Sequence, residues 1–186
     1  MSAELETRRF NVTEYYRMAE AGVLTPDDRV ELIEGEIIKM SPIGSPHAAC
    51  VARLARLLQS VAREKVIVWI QNPVRLDEFS EPVPDLALLK PRKDYYAARH
   101  PTPADALLVI EVADTSLLKD RNIKIPLYAR ACIVETWLVN LPKEMIEVYS
   151  DLHNGKYRKC RKFKRSEVVE SPGVQGLSLK VNEILG

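Results

Sequence analysis

The stretch LLVIEVA, residues 107–113, limits the fold more than any other part of the chain. It reads as an interior strand, because an apolar run without polar alternation belongs to a strand covered on both faces. Side chains alternate along a strand, so Leu107, Val109 and Glu111 share one side while Leu108, Ile110 and Val112 share the other. Glu111 is the exception to the pattern. An ionised carboxylate in such a setting costs several kcal/mol unless something pairs with it.

The surrounding segments supply the layers such a strand needs. Strand-like pieces near 66, 85, 109 and 138 lie between helical stretches near 50 and 127, an order that predicts an α/β fold, a mixed sheet flanked by helices. HAACVARLARLLQSVAREK, residues 47–65, carries apolar residues at 51, 54, 55, 57, 58 and 61, a helical stripe. Arg53, Arg56 and Arg63 fall on its polar side and read as a solvated face. VTEYYRMAEAG, from Val12, predicts a short helix capped by Thr13 and closed by Gly22. ELIEGEIIKMS predicts a hairpin or a helix-to-strand corner at Glu34-Gly35. NIKIPLYARA predicts a helix interrupted or begun at Pro126. MIEVYS and KYRKCRKFK predict a C-terminal β-hairpin turned at Asn154-Gly155. At 186 residues the chain fits a single domain spanning 1–186.

Composition removes several function classes. With 27 basic and 26 acidic residues the net charge is +1, so attraction for a polyanion has to come from a local patch. Cys50, Cys132 and Cys160 form no CxxC and leave one unpaired in any disulfide scheme, which predicts a reducing cytoplasm and argues against structural zinc. No apolar run approaches the roughly 20 residues of a membrane span, so no membrane partner is expected. The absence of GxSxG argues against a serine hydrolase, and the few glycines form neither a phosphate loop nor a dinucleotide fingerprint. The local basic patch is KYRKCRKFKR, residues 156–165, with seven basic residues in ten and Tyr157 and Phe163 interleaved. Lys159 and Arg161 are its candidates for nucleic-acid contact, set against the plainer reading of an edge strand guarded by charge.

Asp85, in VPDLALL, has a setting like that of Glu111. If the two strands are neighbours, the carboxylates converge. Like charges held close raise one another's pKa and stay ionised mainly with a cation between them, and hard oxygen ligands favour Mg²⁺ or Mn²⁺. Such an ion lowers the pKa of bound water and stabilises charge on a phosphoryl oxygen. The plainer alternatives are a solvent-exposed strand-end Glu111 and a turn or cap role for Asp85 after Pro84.

The order ELIEGEIIKMSP, His47, PVPDLALL, LLVIEVADTSLLKDRNIKIPLYARA, ETWLVNL resembles the Uma-type restriction endonuclease family, within the PD-(D/E)XK nuclease superfamily. The resemblance covers nearly the whole chain. It implies a restriction endonuclease-like sheet with added N-terminal elements, Asp85 as the metal-binding aspartate, and Glu111 as the acidic ligand on the next core strand. The superfamily's lysine two residues after that acid is absent, since the position is Ala113. The family's displaced lysine matches Lys124, which would orient water or neutralise phosphate; its alternative is a surface pair with Asp120, four residues earlier. The resemblance makes Asp120 a residue that positions Lys124, and Glu31 a further metal ligand. Glu34 and Glu36 compete with Glu31, whose own plain reading is a solvated helix glutamate. His47 matches a family position suited to proton transfer or phosphate contact, and Gln71 is a weaker amide donor. The implied activity is Mg²⁺-dependent (or Mn²⁺-dependent) hydrolysis of nucleic acid, DNA ahead of RNA, by an endonuclease that works as a homodimer if both strands are cut. The rival is a nucleic-acid-binding or regulatory module that keeps the fold without turnover.

Overall fold

Short N-terminal elements lead into the sheet of the computed structural model, which describes residues 7–25, 27–62 and 65–186. Helix α1 (Val12–Glu20) is followed by strands β1 (Val30–Ile33) and β2 (Glu36–Lys39) and by helix α2 (Ser45–Ala62). Asn11, not Thr13, caps α1: its side chain accepts the Glu14 N–H at 2.9 Å and the Glu14 carboxylate accepts the Asn11 N–H at 3.0 Å. Thr13 already lies inside the first turn. The β1–β2 unit is a hairpin, with Glu34 and Gly35 both at positive φ. Glycine is required at 35, since a Cβ there would meet Arg9 Cβ at 2.5 Å. Helix α2 starts two residues before His47, and Pro46 fits its first turn because that position needs no N–H. The continuation predicted through Arg63 and Glu64 lies outside the described residues.

The central sheet has the spatial order β3 (Ile67–Ile70), β4 (Leu86–Leu89), β5 (Ala106–Ala113), β6 (Thr136–Asn140), β7 (Met145–His153), β8 (Lys156–Lys164). All neighbours are antiparallel except β5 and β6. That parallel pair requires a crossover. It contains the single turn α3 (Leu117–Lys119), a π-helical turn at Asp120–Lys124, and α4 (Ile125–Arg130). Beyond the hairpin the chain adds β9 (Val168–Glu170), β10 (Ser178–Lys180) and α5 (Val181–Leu185), which the sequence reading did not foresee.

LLVIEVA is buried on both faces. Leu108, Ile110 and Val112 join Leu86, Leu88, Trp137 and Val139 in a core closed by Cys50, Leu54 and Leu58 of α2 and by Val181 and Ile184 of α5. Val109, with Ala87 and Leu89, packs on the other face against Leu127 and Tyr128 of α4. Ala113 and Leu138 continue that face beneath Ile125. Glu111, by alternation, belongs to the side covered by the crossover.

Candidate active site

The antiparallel register of β4 and β5 sets Leu86 opposite Ile110, so the next step outward sets Asp85 against Glu111. Residues directly opposite point to the same face, and the two acids therefore share one. Asp85 stands one residue before β4, where the Val112 N–H donates to its Oδ2 at 2.8 Å. His47 Nε2 lies 3.0 Å from the same carboxylate, and Gln71 donates its amide to Oδ1 at 3.4 Å. The Gln71 N–H also donates to the Asp85 carbonyl at 3.0 Å. Three separate elements thus fix one carboxylate. The bond to Asp85 lifts the His47 imidazole above its usual pKa, against the opposing effect of burial, and Asp120 and Asp114 add to the rise.

Glu111 is 2% exposed, which removes the solvent-facing alternative. Its Oε1 receives the Tyr128 hydroxyl at 2.5 Å and the Lys124 ammonium at 2.8 Å. Lys124 is also 3.3 Å from Glu31 Oε2 and donates to the Val83 carbonyl at 3.1 Å. It is buried, so the surface pair with Asp120 does not exist. Glu31 is likewise buried, on β1 rather than on a helix, and accepts from Lys119 at 2.8 Å and from the Val83 N–H at 3.1 Å. Asp120 accepts the Ser116 hydroxyl at 2.5 Å. One cleft of about 510 Å³ gathers Glu31, His47, Gln71, Asp85, Glu111, Lys119, Asp120 and Lys124.

The crossover delivers these side chains through its π turn. Pro126 has no N–H, and its ring would crowd the carbonyl four residues earlier in a regular helix; the wider turn, closed by Ile125 N–H to the Asp120 carbonyl, relieves that conflict. Bonds from i to i+5 bring residues five apart onto one side. Lys119 and Lys124 accordingly meet the same carboxylate, Glu31.

Charge in the cleft is unbalanced. Six carboxylates line it, Asp28, Glu31, Asp85, Glu111, Asp114 and Asp120, against Arg29, Lys119, Lys124 and the imidazole of His47. Burial pushes the Glu111 carboxyl up to about 8; Lys124 opposes the rise, and Asp120 and Asp85 add to it. Burial opposes the Lys124 charge, but Glu111, Glu31 and Asp120 outweigh it and hold the ammonium above its usual pKa. Burial also opposes ionisation of Glu31, yet Lys124 and Lys119 keep that carboxyl below the usual range. Burial raises Asp120. The donor set is therefore hard, oxygen-rich and short of positive charge, which fits Mg²⁺ or Mn²⁺. Among the described residues no three such side chains already stand at metal-ligand spacing, because Glu31 and Glu111 turn oxygens onto lysines.

Lys159 and Arg161 are not brought to this cleft. Both lie on β8, the sheet's outer strand, three strands from β5. Register places Arg161 opposite Val148, in line with Trp137 and Ile110, on the face away from Glu111. Lys162, opposite Glu147 and in line with Leu138 and Glu111, shares the acid's face. Lys119 and Tyr128 were missed by sequence reasoning. The available signal was spacing: Tyr128 follows Lys124 by four on a helix, and Lys119 precedes it by five.

The class of molecule defined here is an α/β protein whose mixed sheet, flanked by helices, carries an acid- and lysine-lined cleft where β4 and β5 meet. The same fold occurs in the crystal structure of a "putative nuclease belonging to DUF820" from Anabaena variabilis ATCC 29413, with a TM-score of 0.74 and 16% identity over 95% of this chain and 97% of that one. The family model Uma2, described as "Putative restriction endonuclease", matches residues 12–182, and the chain belongs to that family. No curated protein matches the sequence. Among the described residues no helix is long and apolar enough to cross a membrane.

Proposed function

We propose that the chain is an endonuclease that hydrolyses phosphodiester bonds of nucleic acid, with DNA as substrate. The observation that carries this reading is the cleft that Asp85 and Glu111 line together where β4 and β5 meet, while Lys124 reaches Glu111 from the crossover. Asp85, Glu111 and Glu31 would hold Mg²⁺ or Mn²⁺, which supplies an activated water and stabilises charge on the phosphoryl oxygens. Lys124 keeps Glu31 ionised and opposes the rise that burial imposes on Glu111, while Glu111, Glu31 and Asp120 together hold Lys124 in its charged form. Lys119, about a quarter exposed at the cleft, is placed to neutralise a substrate phosphate. His47 and Gln71 orient Asp85. Basic residues of β8 outside the cleft would hold the strand beyond the cut, and two copies of the chain would cut both strands of a duplex. Three free cysteines suit a reducing cytoplasm.

The experiment is cleavage of plasmid DNA in Mg²⁺ by the purified chain, its Asp85→Asn and Glu111→Gln variants, and an EDTA control. Cleavage is expected in the parent alone. Unchanged rates in both variants would refute the site, and salt-sensitive DNA retention by a parent that never cleaves would favour the binding module.

A further inference from the structure

We infer that Tyr128 is a positioning residue: its hydroxyl fixes Glu111 so that one carboxylate oxygen is offered to a divalent cation, an assignment that rests on the nuclease reading above. Tyr128 is fully buried on α4, four residues after Lys124, and its hydroxyl donates to Glu111 Oε1 at 2.5 Å. Lys124 also approaches Oε1, at 2.8 Å. Among the described residues Oε2 receives no hydrogen bond, and Glu111 lines the cleft. A carboxylate turns readily about its last side-chain bond, because terminal torsions of this kind are broad. Two donors on one oxygen remove that freedom and leave the other oxygen toward the open side.

The two donors do different work. Lys124 is shared among Glu111, Glu31 and the Val83 carbonyl, so it does not hold Glu111 in one orientation by itself. It also neutralises charge that a cation would otherwise meet. Tyr128 is neutral and has a single rigid ring packed with Val109, Leu127 and Ile133. It therefore orients the acid while reducing its attraction for a cation less than an ammonium does. Tyr128 does not line the cleft, and its removal takes away nothing that an ion or a nucleic acid could touch. This is the arrangement in which a residue behind a ligand sets the ligand's geometry.

The test is Mn²⁺ binding to the full chain without DNA, measured by titration calorimetry for the parent, Tyr128→Phe and Tyr149→Phe. Tyr149 donates to Glu147 at 2.7 Å outside the cleft and controls for loss of a tyrosine–glutamate pair. Tyr128→Phe is expected to raise the Mn²⁺ Kd roughly 10–100-fold, while Tyr149→Phe leaves it unchanged; thermal unfolding in EDTA verifies that both variants fold. A parent-like Kd in folded Tyr128→Phe overturns the inference and leaves the nuclease reading standing. A parent that binds no Mn²⁺ removes both. A Mn²⁺-soaked crystal of the parent gives a second readout independent of the variant: the ion on Oε2 with Tyr128 still on Oε1 is expected, and the ion on Oε1 with the hydroxyl displaced overturns the assignment.

Discussion

Replacing Lys124 with methionine tests the electrostatics of the cleft most directly. The side chain keeps its length and loses its charge, so Glu31, at 3.3 Å, and Glu111, at 2.8 Å, lose a shared ammonium while both remain buried. Breaking a buried ion pair from one side costs about 3–5 kcal/mol. For a chain of this length that lowers the thermal midpoint by roughly 6–20 °C. The loss depends on pH, with a definite sign. Burial already pushes the Glu111 carboxyl from an ordinary 4.5 up to about 8, and without Lys124 it rises further. Glu31, held below 4.5 by Lys124 and Lys119, rises as well. A carboxyl whose folded pKa exceeds its unfolded value binds more protons when folded, so stability falls as pH climbs from the unfolded value toward the folded one. Lys124→Met is therefore expected to lose least at pH 5 and most at pH 8. Urea unfolding followed by far-UV circular dichroism, in EDTA at each pH, measures the difference. A deficit below about 1 kcal/mol at pH 8, under the floor for a broken buried pair, or the same deficit at pH 5 and pH 8, refutes the account.

Other expectations use the same cleft and the sheet around it. His47 has its pKa raised by Asp85, so their pair contributes fully below the usual 6.5 and is lost as pH rises through the higher folded value. His47→Gln should remove that step from the stability profile in EDTA, and an unchanged profile would show that the pair contributes nothing. Lys119→Met should raise KM for DNA more than it lowers kcat, because the residue sits at the cleft's exposed side; steady-state kinetics on a labelled duplex separate the two. Alanine at Lys162 and Lys164, on the face of Glu111, should each flatten the salt dependence of DNA retention by about 0.9. The same change at Lys159 and Arg161, on the opposite face, should do less, and an equal effect would contradict the register argument.

What could be read from the sequence follows from where the signal is local. Asp85 and Glu111 stood out because a carboxylate in an apolar strand demands a partner, and strand alternation alone placed Glu111 on one side. The β7–β8 hairpin was visible because Asn154-Gly155 is a two-residue turn between strand-like runs. Other features depend on contacts far apart in the chain. Strands β9 and β10 have three residues each, too few for periodicity to register. The face of each β8 lysine could not be read, because basic residues occupy both sides of that strand. Glu31 resembled a helix glutamate until its pairing with Ile38 made it a strand residue under Lys119 and Lys124. Tyr128 and Lys119 acquire their roles from the π turn, whose cause, Pro126, reads in the sequence only as a helix boundary.

The same turn explains how a lysine can be missing from the strand and present at the acid. Position 113 lies two residues beyond Glu111, on its face of the sheet, where a long side chain would reach toward the cleft. Here Ala113 is completely buried and packs with Leu138 beneath Ile125. A long side chain at 113 would fill the space that Ile125 occupies and lift the crossover from the sheet. The methyl group instead lets the crossover close, and closure carries Lys124, the residue next to Ile125, onto Glu111 at 2.8 Å. Alanine on the strand and lysine on the π turn are therefore one structural choice: the small residue makes the close approach possible, and the approach puts the ammonium against the acid from the helix side.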